Sequence, residues 1–213
     1  MKIENLLNNY SAILCLNGKL PSKEYISSYQ IIIAADGAAN KLEAMGITPS
    51  IIIGDLDSID QQNYPESEII FIPNQDKTDF AKALDYIQAN NIGPTIVCGV
   101  SGGFLDHIIQ NINLILENNC ALYAPPLIGL VLKENESRTF SLEINTKISL
   151  FAMPRAIVNT RGLKWELNDE ILEFPGKNSC LNRTASPLVN IDITAGKVLL
   201  LLYNEKISDM GGE

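Results

Sequence analysis

An α/β domain followed by an all-β sandwich is the fold class this sequence predicts, from three observations. Apolar strands alternate with segments of helical period from Ala12 to Ala124. The helical period then stops at "APP", residues 124–126, and short apolar runs separated by turn residues replace it. The boundary is therefore set near Ala124, giving 1–124 to the α/β domain and 125–213 to the sandwich.

In the first half the strand candidates are "AILCL", "QIIIAAD", "IIIGD", "EIIFIP", "TIVCGV" and "CALYA". Between several of them lie "GAANKLEAMG", "DFAKALDYIQANN" and "LDHIIQNINLILENN", whose apolar residues recur with helical spacing. In the last, Leu105, Ile108, Ile109, Ile112, Ile115 and Leu116 trace what reads as one buried helix face. Strands alternating with helices predict a mainly parallel sheet covered on both sides. In the second half the runs are "LIGLVLK", "SRTFSLE", "KISLFAM", "ILEFPG", "LVNIDIT" and "KVLLLLY". "ITAGKV" reads as a tight hairpin turn on Ala195 and Gly196, and the final "SDMGGE" as a frayed tail.

The 213 residues carry a formal charge of −9 with a pI near 4.7. That argues against nucleic acid or an anionic membrane as the main partner. A phosphate-bearing substrate would need a positive companion, most simply a divalent metal. The four cysteines are widely spaced without a C-x-x-C pair, which fits a reduced, cytoplasmic setting. "YSAILCLNG" lacks a basic leader and is too short to span a bilayer, so it reads as the first strand.

Open α/β sheets bind ligands at the carboxyl ends of their strands. The acids gather there: Asp36 after "IIIAA", Asp55 and Asp57 after "III", Asp76 and Asp79 after "FIPNQ", and Asp106 after "CGVSGGFL". In extended backbone Asp55 and Asp57 point the same way, and two such carboxylates repel unless protonated or bridged by a cation. Mg²⁺ suits an oxygen-only pair; the alternative is a turn begun by Asp57 and Ser58 with Asp55 solvated. Thr78 or Asp79 can cap the helix starting near Phe80. Asp76 lies outside it, and Lys77 either neutralises an acid, reaches a phosphate or is simply exposed. "GVSGGFLDH", 99–107, joins strand to helix through three glycines, whose amides can approach a phosphate. No G-K-[ST] follows, so this is not a Walker loop. His107, the only histidine, has no evident partner.

"ADGAANKL", "GDLDSI", "QDKTDFAKAL" and "GGFLDHIIQNINLI" occur in the order and spacing of thiamine pyrophosphokinases. "TRGLKWEL" at 160–167 and "LNRTASPLVNIDITAGKVLLL" extend the resemblance over nearly the whole chain. The resemblance implies a homodimer with active sites between subunits and the reaction ATP + thiamine → AMP + thiamine diphosphate. It implies Asp55 and Asp57 as Mg²⁺ anchors, with Asp76 or Asp79 completing the site and Asp76 a candidate proton acceptor. Gly102, Gly103 and Asp106 would hold the nucleotide beside Lys77 and Thr78, with Asp36 and Asn40 lining the site. Asn182 would contact thiamine, and Trp165, the only tryptophan, could stack on its cationic ring or anchor the sandwich core. Phe104 stands where the family usually has Arg, Leu181 where it has Ser, and Ala38 where Gly is common. Lys77, Arg155 and Arg161 are candidates to replace the missing cation. Two rivals remain: a haloacid-dehalogenase-type phosphatase, which should carry its lysine and second acidic pair on the α/β domain, and a nucleotide- or thiamine-binding protein without turnover.

Overall fold

The computed structural model describes residues 6–204; the "SDMGGE" segment lies outside them. Residues 9–114 and 122–124 group into one compact unit; 6–8, 115–121 and those from Pro125 onward group into a second. The grouping is not a single cut at Ala124, because the end of one helix clusters with the β-rich part.

In the first unit the strands are β1 (Ala12–Cys15), β2 (Ile31–Ala35), β3 (Ile51–Gly54), β4 (Glu68–Phe71), β5 (Thr95–Cys98) and β6 (Ala121–Ala124). Their order is β6-β5-β1-β2-β3-β4, and the pairs β1–β2, β1–β5, β2–β3 and β3–β4 are all parallel. β1 and β3 are buried at every residue, so both faces are covered, as isoleucine-rich runs without alternation require. Ile13, Ile33, Ile52, Ile53 and Ile96 are wholly inaccessible, each contributing roughly 2 kcal/mol by burial. The helices are α1 (Lys23–Ile26), α2 (Ala38–Ala44), α3 (Asp79–Ala89) and α4 (Leu105–Asn118). The sequence reading had not anticipated α1, a single turn capped by Ser22. Thr78 is the N-cap of α3, its Oγ accepting from Ala81 N–H, so capping falls to Thr78 and leaves Asp79 free.

α4 departs from expectation. Its period is helical, but only Leu114, Ile115 and Leu116 are buried, while Leu105 is 72% and Ile109 63% exposed. The apolar stripe is real, and this chain covers only its last turn. No helix among the described residues is long and apolar enough to cross a membrane.

The second unit holds β7 (Leu127–Lys133), β8 (Glu136–Ser141), β9 (Lys147–Arg161), β10 (Glu170–Glu173), β11 (Ser179–Arg183) and β12 (Leu188–Tyr203). β9 and β12 are long strands paired antiparallel through their lengths. The first half of β12 also pairs with β8, and its second half with β7. β9 pairs with β11 near its start and with β10 near its end. The result is two four-stranded layers, β8-β12-β9-β10 and β7-β12-β9-β11, sharing two bent strands. The expected hairpin at Ala195–Gly196 is therefore corrected: β12 continues through it, shifting register against β9 between Ile193 and Val198. Gly196 has φ 80, and a Cβ there would fall 2.1 Å from Arg155 O, so the glycine marks a bend and not a chain reversal.

Candidate active site

Three strand-end segments converge beside Gly54. Asp36 terminates β2 with φ 37, an uncommon backbone for a non-glycine residue, fixed by its N–H donating to Ile53 O at 2.8 Å. Asp55 follows β3, and Asp79 opens α3. A Cβ on Gly54 would lie 2.8 Å from Asp36 Cβ and 3.2 Å from Asp79 Oδ1, so only glycine leaves room for the acids to meet. Asp36, Asp55 and Asp79 each offer a carboxylate oxygen, all within 4.8 Å of one another.

Lys82 completes the group, and the sequence reading missed it. Its side chain is 2% exposed, with Nζ 2.9 Å from Asp79 Oδ1 and 3.9 Å from Asp55 Oδ2. Helical spacing gave no warning: Lys82 lies one turn beyond Asp79 and well off the stripe formed by Phe80, Ala83, Leu84 and Ile87, yet it is buried like them. A buried lysine needs an anionic partner, and the i,i+3 spacing supplies Asp79. Asp55 also accepts from Gln75 Nε2 at 2.6 Å. That hydrogen bond, helped by Lys82 and opposed by desolvation, holds the Asp55 carboxyl below the usual range. Asp36 is 6% exposed and its Oδ1 has no hydrogen-bond partner. Three carboxylates against one ammonium leave two negative charges uncompensated, and one buried oxygen is unsatisfied. An oxygen-only set of that charge fits a hard divalent cation such as Mg²⁺.

The group does not include the other predicted metal ligands, Asp57 and Asp76. Leu56 has φ 61 and is buried, so Asp55 and Asp57 do not share one side of an extended strand as expected. Asp57 is exposed and accepts from Ser58 Oγ at 2.9 Å. Asn40 braces that loop, donating to Ser58 O at 2.8 Å while accepting from Tyr64 hydroxyl at 2.9 Å. Asp76 is exposed, with its backbone N–H bonded to Asn74 Oδ1. Lys77 pairs with Asp85 at 2.6 Å. Gly102 and Gly103 lie in the exposed turn after β5, and Asp106 Oδ1 accepts from His107 N–H at the start of α4.

In the β unit, Asn182 is 3% exposed and its amide is fully engaged. It donates to Trp165 O at 2.7 Å and accepts from the N–H groups of Trp165 and Arg183. It thereby pins the 163–165 segment to β11. The Trp165 ring is 55% exposed, with Lys164 Nζ 4.8 Å from its centroid; it is not a core anchor. Leu181 has φ 53 and is 49% exposed.

A parallel sheet gathering an oxygen-only acid cluster at its carboxyl edge, followed by an all-β unit, defines an open α/β protein with a candidate metal-holding site at its strand ends. Residues 22–124 match the thiamin pyrophosphokinase catalytic domain, and 134–198 match the thiamin pyrophosphokinase vitamin B1 binding domain. The chain belongs to the thiamin pyrophosphokinase family. It is 25% identical over 226 residues to thiamine pyrophosphokinase 3 of Oryza sativa subsp. japonica, covering 89% of this chain and 85% of that one. It is 27% identical over 171 residues to thiamine pyrophosphokinase 2 of Arabidopsis thaliana, covering 68% and 61%. Its fold is similar to the solved thiamin pyrophosphokinase from Candida albicans, with TM-score 0.81, 21% identity and coverage of 94% and 91%. The yeast enzyme gives 0.78, 20%, 95% and 90%.

Proposed function

We propose that this chain transfers the pyrophosphoryl group of ATP to the hydroxyl of thiamine, giving thiamine diphosphate and AMP. The observation that carries the reading is the cluster of Asp36, Asp55 and Asp79 with a buried, unpartnered oxygen and a net charge deficit of two. Asp36, Asp55 and Asp79 would hold Mg²⁺, with Asp57 beside them at the same strand end. The ion's contribution is to neutralise charge on the phosphate oxygens. The thiamine hydroxyl oxygen attacks the β-phosphorus, the bond from that phosphorus to the oxygen bridging to the α-phosphate breaks, and AMP leaves. Asp76 would accept the hydroxyl proton, a reading supported by the lack of any hydrogen bond or ion pair to its carboxylate among the described residues. Trp165 offers an exposed ring to the thiazolium and Asn182 holds it in position, within the part that matches the vitamin B1 binding domain.

The exposed Phe104, Leu105 and Ile109 at the start of α4 support a homodimer in which a second copy covers them. Free thiols at Cys15, Cys98, Cys120 and Cys180 fit a cytoplasmic location. The phosphatase and the silent binder predict different products. Incubation with ATP, Mg²⁺ and thiamine should yield AMP and thiamine diphosphate in equal amounts. Free phosphate alone, or binding without products, would overturn the proposal.

A further inference from the structure

The unit that carries the acid cluster contains no arginine and, between residues 9 and 114, five lysines. Four have committed ammonium groups. Lys23 donates to Gly46 O at 3.0 Å, Lys41 to Asn17 O at 2.7 Å and Gly18 O at 2.8 Å. Lys77 pairs with Asp85 and Lys82 with Asp79. Lys19 is exposed, and among the described residues its ammonium has no hydrogen bond or ion pair.

The place of Lys19 in the fold is specific. β1 and β5 are neighbours, yet the chain leaves β1 toward β2 and leaves β5 toward β6, on opposite sides. This is the switch point of the sheet, where open α/β folds bind ligands. The loop after β1 and the glycine loop after β5 interlock there: Lys19 N–H donates to Ser101 O. A Cβ on Gly18 would lie 2.1 Å from Gly99 O and 2.2 Å from Ser101 O, and one on Gly102 would lie 3.2 Å from Lys19 Cβ. The same loop also meets the segment that follows β2, with Asn17 Nδ2 2.9 Å from the Cβ position of Gly37, the residue after Asp36. The 17–19 segment thus adjoins both Gly37, next to Asp36, and the glycine loop, and a polyphosphate with its metal among the aspartates and its chain toward that loop would run beside it.

We infer that Lys19 is the cation that binds the phosphate chain of the nucleotide, at the junction of the β1 and β5 loops. The inference rests on the pyrophosphoryl-transfer reading above and adds a residue to it. Phe104 cannot supply that charge, Lys77 is spent on Asp85, and Arg155 and Arg161 belong to the other unit.

The test is isothermal titration of the full chain with α,β-methylene-ATP and Mg²⁺, for wild type, Lys19→Ala and Lys19→Arg. A lost charge-assisted hydrogen bond should weaken the alanine variant about tenfold, and arginine should retain most of the affinity. Steady-state assays should show the same rise in KM for ATP, with KM for thiamine within about twofold. Adding Phe104→Arg to Lys19→Ala should recover part of the binding, because it returns a cation to the glycine loop that adjoins the Lys19 loop. Since the Lys19 ammonium has no partner among the described residues, the melting temperature should not move. An alanine variant that binds the analogue within about twofold of wild type would overturn the inference while leaving the transfer reading intact. A wild-type chain that forms no AMP and thiamine diphosphate would overturn both.

Discussion

Asp36 and Asn182 are both buried polar residues at strands, 6% and 3% exposed, and they are treated in opposite ways. Every polar atom of the Asn182 amide has a partner. Asp36 keeps an oxygen with none, beside two further carboxylates. A satisfied buried amide holds a shape; an unsatisfied buried carboxylate suits a cation. The comparison separates the residue that positions a binding segment from the residues that bind.

The largest effect that tests this contrast should come from Asp36→Asn. Turnover should fall by at least about a hundredfold, while the melting temperature holds or rises because a repelling group is gone. Activity within fivefold of wild type would remove Asp36 from the metal set. Asn182→Ala should do the reverse. Stranding the backbone groups of Trp165 and Arg183 costs about 2–3 kcal/mol, or roughly 5–10 °C for a chain of this size, with kcat within about threefold at 20 °C. A stable variant that cannot use thiamine would instead make the amide a direct substrate contact.

Lys82→Met sharpens the charge argument. In chelator its melting temperature should drop by a few degrees, on the order of 1–2 kcal/mol once Asp79's one-third exposure is discounted. Excess Mg²⁺ should return most of the loss by restoring positive charge; no response to the ion would place the metal elsewhere. The smallest effect is in acid. The depressed Asp55 carboxyl contributes stability that is present above its unfolded value near about 4 and is lost as pH falls through the folded one. Gln75→Ala removes the first cause of that depression. The melting-temperature difference between neutral pH and strong acid should narrow, seen by thermal denaturation at the two pH values.

Much of the first unit was legible because its strands are short, mostly apolar runs, isoleucine-rich in β2 and β3, and its helices keep a 3.6-residue period. The acids at strand ends could be read from order alone. Their convergence could not, since it depends on positive φ at Asp36 and Leu56, residues with no glycine-like signal. Hence Asp57 was expected to align with Asp55, whereas the structure brings Asp36 and Asp79 to Asp55. The α4 stripe showed where apolar residues lie and not what covers them. In the second unit Gly196 looked like the turn of a hairpin because a bend inside a strand uses the same residue. The loop carrying Lys19 bore no motif; its meaning depends on strand order, which a linear pattern does not contain.

The bent strands β9 and β12 have a mechanical consequence. Each crosses both layers of the β unit without a break, so neither layer can peel away while the other stays hydrogen-bonded. Amides on the short flanking strands should therefore share one opening event in hydrogen exchange, and the platform beneath Trp165 stands or melts as a whole.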